Sequence, residues 1–341
     1  MTLTESVLWP VSVLYGAAGR LRAWSYDAGI LTQKRLRGIV VSVGNITTGG
    51  TGKTPMVAWL AQRFLESGKK VGVLSRGYRP LRTHSGLHDE AAQGWNDEVA
   101  LLHGRFGKSV EFGIGTNRLE KGRELETRGV DCFILDDGFQ HLQLARDVNI
   151  AMIDATKPFG GGHLLPSGRL REPVSALRRA DIVVIHRAES APAINARIRR
   201  YSSAITYFSQ AKLLGIEANR APTNGGVEAK PKNFFAFCGI GNPSAFFDDL
   251  KSWGISIVGY ATFRDHHRYS AQDVARLEAQ AAATGAESLL CTEKDIYDMP
   301  HGVVAKIPLC FCRIALQFND EEVLWRSILS LAERKMRASK E

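Results

Sequence analysis

Residues 39–55 read Ile-Val-Val-Ser-Val-Gly-Asn-Ile-Thr-Thr-Gly-Gly-Thr-Gly-Lys-Thr-Pro. A β-branched run, a glycine-rich loop and Gly52-Lys53-Thr54 opening a helical pattern are strand, phosphate loop and helix N-terminus, the order a nucleoside-triphosphate site needs. Backbone N–H groups across Thr48, Gly49, Gly50, Thr51 and Gly52 can cradle phosphates. Lys53 can reach the β- and γ-phosphates, and the Thr54 hydroxyl can ligate Mg2+. Pro55 suits the first helical turn, where its missing donor costs nothing. The strict pattern asks for Gly at position 47; Thr47 stands there, and Gly49 and Gly50 carry the flexibility instead.

A triphosphate needs an acidic partner, and the apolar run from Cys132 ends in Asp136-Asp137-Gly138-Phe139-Gln140-His141. Carboxylates at the C-terminal edge of a neighbouring parallel strand can hold Mg2+ directly or through water. Two further stretches carry reactive side chains. Residues 159–173 form a long Gly- and Pro-punctuated loop with His163, Arg169 and Arg171, whose arginines could clamp a phosphate. Asp265-His266-His267 reads as a metal site, a catalytic dyad or a surface turn, with His266 as an orienting or proton-handling group the better functional reading. Gly239-Ile240-Gly241 lacks the third glycine of a dinucleotide site and reads as a structural turn.

Elements must position these groups. Met56, Val57, Leu60 and Phe64 recur at helical spacing, with Gly68 ending the helix. Strands are expected at 71–75, 110–113, 132–136, 149–154 and 181–186, with helices opening at Asn96 and Asn117. Strand and helix alternate to about residue 205, which predicts a doubly wound, mostly parallel α/β sheet. A polar linker over 219–232 follows a strand at 212–218, and a second, smaller α/β unit begins at Phe234. The expected division is an interfacial helical segment over 1–32, a P-loop NTPase-like domain over 33–208 and the smaller domain over 209–341.

The 341 residues carry a net charge of +9, which suits an anionic partner. No aromatic-interleaved RNA-binding signature or DNA-binding motif accompanies the charge, so nucleic acid is not the expected partner. The five cysteines have no metal spacing and read as small core residues. Residues 4–31 are apolar with Trp9, Tyr15, Trp24 and Tyr26, broken by Pro10, Gly16 and Gly19 and followed by basic residues. That pattern fits a segment lying in the headgroup region of an anionic membrane or, equally, a helix packed on the core.

Taken together, the ordered motifs resemble the tetraacyldisaccharide 4'-kinase (lipid A 4'-kinase) family over nearly the whole chain. They are Val43-Gly44-Asn45 with Gly49 to Pro55, Arg76-Gly77-Tyr78, Asp136 to His141, Leu165 to Glu172, Gly239 to Pro243, Phe263 to His266 and Thr292-Glu293-Lys294-Asp295. Thr47 is then that family's own variant of the loop. The resemblance implies ATP-dependent phosphorylation of the 4'-hydroxyl of an acylated glucosamine disaccharide 1-phosphate lipid. It also implies a peripheral enzyme on an anionic membrane surface, the cytoplasmic face of the bacterial inner membrane, which lifts the interfacial reading of residues 4–31. No obligate protein partner is expected.

By resemblance, Thr54, Asp136 and Asp137, with Gln140 nearby, hold Mg2+, and Lys53 holds the phosphates. Asp97 is the base, in Asn96-Asp97-Glu98-Val99 where the family reads Gly-Asp-Glu-Pro, and His266 pairs with it from the second domain. The site would lie between domains whose closure gates turnover. Arg76, His163, Arg169 and Arg171 are the candidates for gripping the acceptor. A guanine-specific NTPase is disfavoured, because Thr292-Glu293-Lys294-Asp295 has its Lys and Asp adjacent.

Overall fold

The structure, a computed structural model, describes residues 3–77, 95–219, 231–300 and 305–338. Tyr78-Arg79-Pro80, the His- and Gly-rich loop up to Gly94 and most of the expected 219–232 linker lie outside the described residues. The described chain forms two compact units: Met1–Arg76, Phe106–Gln210 and Leu316–Glu341 make the first, Gly77–Arg105 and Ala211–Ala315 the second.

In the first unit the strands are β1 (Ile39–Gly44), β2 (Val71–Ser75), β3 (Val110–Ile114), β4 (Cys132–Asp136), β5 (Val148–Asp154), β6 (Ile182–His186) and β7 (Ile205–Ala218). Their spatial order is β3-β2-β4-β1-β5-β6-β7, and every one of these pairings is parallel. A parallel strand covered on both faces must be apolar throughout, and β2, β4, β5 and β6 are buried along their whole length. β7 runs longer than the 212–218 strand read from sequence, because Ile205 to Ser209 pair with β6. Central β1 has β4 on one side and β5 on the other. Its C-terminal end is therefore the point at which chain direction across the sheet diverges and a crevice opens.

Helix α2 (Lys53–Glu66) leaves the phosphate loop and buries Met56, Val57, Leu60, Ala61 and Phe64. Helix α4 (Arg118–Thr127), N-capped by Asn117, covers the β2–β3 region through Leu119 and Leu125, and α5 (Pro192–Arg199) buries Ile198. The chain returns at its C-terminus as α9 (Glu321–Ala338), with Leu324, Trp325, Ile328 and Ala332 as its buried stripe. Trp325 meets Phe64 edge-on with ring centroids 4.9 Å apart, and Trp59 on the same helix as Phe64 lies 4.9 Å from Phe318.

Helix α1 (Leu3–Asp27) is continuous through Pro10, Gly16 and Gly19, which the sequence had suggested would interrupt it. The reason is visible in what each small residue does. Ser12, Gly16 and Ala23 lie at helical spacing and are buried against the unit, Ser12 accepting from the Ser167 N–H at 3.0 Å. A Cβ on Gly16 would stand 2.4 Å from Leu164 Cδ1. The large apolar side chains point away: Leu14 is 70% exposed, Leu21 62%, Trp24 55% and Trp9 53%. Packing on the core is done by the small residues and not by the apolar ones. No helix among the described residues is long and apolar enough to cross a membrane.

The second unit holds β8 (Phe234–Cys238), α6 (Pro243–Ser252), β9 (Ile257–Thr262), α7 (Ala271–Ala283), β10 (Ser288–Thr292), α8 (Glu293–Tyr297) and β11 (Leu309–Phe318), with α3 (Asp97–Phe106) contributed by an earlier excursion. The strand order is β11-β10-β8-β9, and these pairings are parallel. Alternate residues feed opposite faces. Phe234, Ala236, Cys238, Leu290, Cys310 and Cys312 pack with Phe246 and Leu250 of α6, whereas Phe235, Phe237, Leu289, Cys291 and Phe311 pack with Leu277 and Ala281 of α7. All five cysteines are buried and free, as their apolar surroundings in sequence suggested. Ser270 and Asp273 form a full capping box at the start of α7.

Candidate active site

The phosphate loop leaves β1 and turns into α2 through two left-handed glycines, Gly49 at φ 104° and Gly52 at φ 82°. Only glycine adopts that region without strain. Position 47 does not need glycine, because Thr47 is bridged to Leu170 in an antiparallel step. Around it, the Thr48 N–H donates to the Arg169 carbonyl at 2.8 Å and the Arg171 N–H to the Ile46 carbonyl at 2.7 Å. The long 159–173 loop is thus a strut for the first half of the phosphate loop. Asn45 Nδ2 closes the loop from inside by donating to Thr51 Oγ1 at 2.9 Å. No side chain caps the start of α2, so its first amides face the loop.

His186, at the end of β6, was not anticipated. Its buried ring lies beneath the loop, 3.0 Å from where a Cβ on Gly52 would stand, and Nδ1 meets Ser209 Oγ at 3.2 Å. Burial, then Arg187, lowers its pKa to about 3, so a neutral imidazole supports the phosphate site. Only the strand order puts it there, and nothing local in Ile182–His186 announces it.

Register places the acidic pair. Asp136 is opposite Val43 in the β1–β4 ladder, one residue before the loop begins at Gly44. The Gly138 N–H bonds the Val43 carbonyl at 2.9 Å, and a Cβ on Gly44 would lie 2.5 Å from the Phe139 nitrogen. Asp136 is buried and its Oδ2 accepts from Ser75 Oγ at 3.4 Å. Asp137, at φ 47°, turns its carboxylate to Lys53 at 3.6 Å and to Arg171 at 2.7 Å. Burial alone would raise the Asp137 carboxyl; Lys53 and then Arg171 outweigh it and hold it at about 2. The donor set of Thr54 hydroxyl and two carboxylates is hard oxygen only, which fits Mg2+, an ion held by one or two carboxylates plus phosphate oxygens. Gln140 donates to the Asn45 carbonyl and to Glu172 Oε1, both at 2.9 Å, beside this set.

The basic candidates fare differently. Arg171 is paired with Asp137, and Arg169 donates to the Thr48 carbonyl at 2.9 Å. Arg179 is tied to Glu172 at 2.6 Å and Arg178 to Asp27 at 2.7 Å. His163 and Arg76 are exposed. Arg118, at the start of α4, is buried and reaches His141 Nδ1 at 3.2 Å and the Asp136 carbonyl at 3.3 Å. Burial, then Arg118, lowers His141 to about 4.

In the second unit, Asp97 starts α3, 4% exposed, where a carboxylate suits the helix N-terminus. His266 Nδ1 is 3.0 Å from Asp97 Oδ2, across 169 residues of sequence. His266 itself is left-handed at φ 57°, and its N–H is held by the Gly239 carbonyl at 2.9 Å. Lys294 Nζ is 3.2 Å from the same Asp97 oxygen. Burial would raise Asp97; the His266 hydrogen bond and the Lys294 charge bring it down to about 2. His266 is raised, first by its bond to Asp97. His267 instead faces Asp273 at 3.2 Å and stacks on Phe263 at 4.6 Å. Among the described residues no cluster of three or more His, Cys, Asp or Glu side chains could hold a metal.

The family model described as tetraacyldisaccharide-1-P 4'-kinase matches residues 4–333. A tetraacyldisaccharide 4'-kinase of Geobacter metallireducens is 40% identical over 304 residues, covering 86% of this chain and 88% of that protein. One from Syntrophus aciditrophicus is 35% identical over 342 residues, covering 94% and 91%. The crystal structure of LpxK from Aquifex aeolicus in complex with ATP superposes with a TM-score of 0.72 at 28% identity, covering 96% of this chain and 99% of that one.

Proposed function

The chain belongs to the tetraacyldisaccharide 4'-kinase family, ATP-dependent kinases of lipid A synthesis, and from that premise we propose how its residues divide one phosphoryl transfer. Phosphoryl transfer leaves little covalent chemistry to the protein; positioning and charge neutralisation do most of it. Thr48 to Thr54 hold the phosphates of ATP on backbone amides, with Lys53 on the β- and γ-phosphates. Asp136, Asp137 and Thr54 hold Mg2+, which when bound neutralises phosphate charge. Arg171 and Lys53 together fix the Asp137 carboxylate, so its orientation is set before the nucleotide arrives.

The 4'-hydroxyl oxygen of the acylated disaccharide 1-phosphate attacks the γ-phosphorus, the bond to the β–γ bridging oxygen breaks, and ADP leaves. Asp97 receives the hydroxyl proton, and His266 orients the carboxylate through its 3.0 Å bond. A carboxyl held at about 2 is a weak base, which suits a loose transition state in which the nucleophile loses its proton late. Arg76 and His163, both exposed, remain the candidates to meet the acceptor, whereas Arg169 and Arg171 serve it indirectly by bracing the phosphate loop and Asp137.

The outward apolar face of α1 lies in the headgroup region of an anionic membrane, the cytoplasmic face of the inner membrane. Trp9, Leu14, Leu21 and Trp24 on one helix, with Arg20 and Arg22 among them, are the amphipathic tips and cations such a surface takes.

The observation that carries the catalytic assignment is the Asp97–His266 pair, buried on the carboxylate side and built from two distant segments. The test is incubation with Mg-ATP and acylated disaccharide 1-phosphate in detergent, read by mass spectrometry. Wild-type protein adds one phosphate to the lipid; Asp97→Asn binds ATP as wild type does and adds it far more slowly. Unimpaired turnover by Asp97→Asn would refute the assignment of the base.

A further inference from the structure

The motif Thr292-Glu293-Lys294-Asp295 plays no part in binding phosphates or in the transfer as described so far, yet each of its residues is committed to holding the Asp97–His266 pair. Thr292 and Asp295 form a capping box that fixes the short helix α8. Glu293 takes Arg105, near the end of α3, on both carboxylate oxygens. Lys294 takes Asp97, at the start of α3, at 3.2 Å. Asp295 accepts from the Gly239 N–H and from Tyr269 Oη, both at 2.8 Å, while the Gly239 carbonyl accepts the His266 N–H. The contact between α3 and α8 is close enough that a Cβ on Gly104 would stand 2.1 Å from Tyr297 Oη. One four-residue turn thus grips α3 at both ends and the His266 turn through Gly239 and Tyr269.

Lys294 does more than hold the backbone. Its Nζ lies 3.4 Å from His266 Nε2, while Nδ1 of the same ring faces Asp97 Oδ2. An ammonium has donors only. Asp265 Oδ1 also stands near Nε2, at 3.9 Å, beyond hydrogen-bond reach. A proton on Nε2 would set two donors against each other, so this geometry favours the neutral ring with its proton on Nδ1, donated to Asp97. Both contacts to Asp97 converge on Oδ2, which makes Oδ1 the oxygen a hydroxyl would approach.

We propose that Lys294 is the positioning residue of the Asp97–His266 pair, fixing the imidazole tautomer and presenting Asp97 Oδ1 to the acceptor hydroxyl. This rests on the reading of Asp97 as proton acceptor. Among the described residues the charged groups around the pair include Glu98, Asp265 and Asp298 in addition to Lys294, and Lys294 is a cation that offsets these carboxylates. Burial, then Asp97, raises Asp298 to about 7, and that neighbour would meet Asp97 without the Lys294 charge to offset it in Lys294→Met.

The experiment uses full-length protein labelled with 15N-histidine, His266 assigned by its loss in His266→Gln, above the pH at which the ring titrates. Long-range 1H–15N spectra of wild type are expected to show the Nδ1–H tautomer. In Lys294→Met the ring becomes a mixture with Nε2–H, and kcat falls about tenfold with the KM for ATP unchanged. The acid limb of kcat moves up by about one pH unit, and Lys294→Arg restores kcat to within about threefold. A wild-type Nε2–H tautomer overturns the proposal without reference to any variant. So does a kcat loss in Lys294→Met that comes without the change in tautomer and pH profile, or that Lys294→Arg fails to rescue. Failure of the base assignment itself reads differently: Asp97→Asn would turn over normally whatever the His266 tautomer.

Discussion

At the scale of single residues, the two carboxylates that matter are held ionised by different means. Asp137 is set by Lys53 and Arg171 in the nucleotide-binding unit, Asp97 by His266 and Lys294 in the other. Asp97→Asn is expected to lower kcat on the order of 100-fold or more while leaving ATP affinity within about twofold, measured by single-turnover kinetics and calorimetric titration. Both carboxyls sit at about 2, below the ~3.9 of an unfolded aspartate. A depressed folded pKa contributes stability that is present above the unfolded value and lost as pH falls through the folded one. Denaturant unfolding should therefore lose stability from about pH 4 down to about pH 2, and Asp97→Asn should flatten that dependence. His266 has the opposite sign: its pKa is raised, so its contribution is complete below ~6.5 and is lost as pH rises through the folded value.

At the scale of elements, the end of β1 is the tightest constraint in the nucleotide unit. Gly44 has the Phe139 backbone against it, so the acidic turn and the phosphate loop cannot move apart independently. Gly44→Ala is expected to cost about 1–3 kcal/mol in thermal or denaturant unfolding and to weaken ATP binding, because the neighbour is backbone and cannot rotate away. Arg169 braces the loop through the Thr48 carbonyl. Arg169→Ala should raise the KM for ATP several-fold with kcat nearly kept, since an orienting contact to the resting loop is lost. A rise confined to the KM for the lipid would instead assign Arg169 directly to the acceptor.

At the scale of the molecule, the proposed membrane contact would use a net charge of +9 and the outward apolar face of α1 by different physics. Attraction of basic residues to an anionic surface is screened by salt, whereas burial of Trp and Leu is not. Sedimentation with anionic vesicles should weaken but persist as salt rises to about 1 M, where the Debye length is ~3 Å. Protein lacking residues 1–30 should lose the salt-resistant part. Equal binding with and without them would return α1 to a purely structural role.

The phosphate loop, the acidic strand end and the order of strands and helices are legible in residue types and spacing, since these rest on residues within a few positions of one another. Asn96-Asp97-Glu98 and the 263–268 turn could be picked out as motifs, and their partnership came from family resemblance alone. Only tertiary structure brought His266 to 3.0 Å from Asp97, put His186 under Gly52 and paired Arg171 with Asp137. It also set which basic residues are paired with acidic neighbours, and it turned the apolar side of α1 outward by packing Ser12, Gly16 and Ala23 inward. The reason is common to all of these. Local periodicity and turn chemistry act through neighbours in the chain, whereas the partner of a charge and the side of a helix that is buried are chosen by strand order and by shape, to which a one-dimensional pattern is blind.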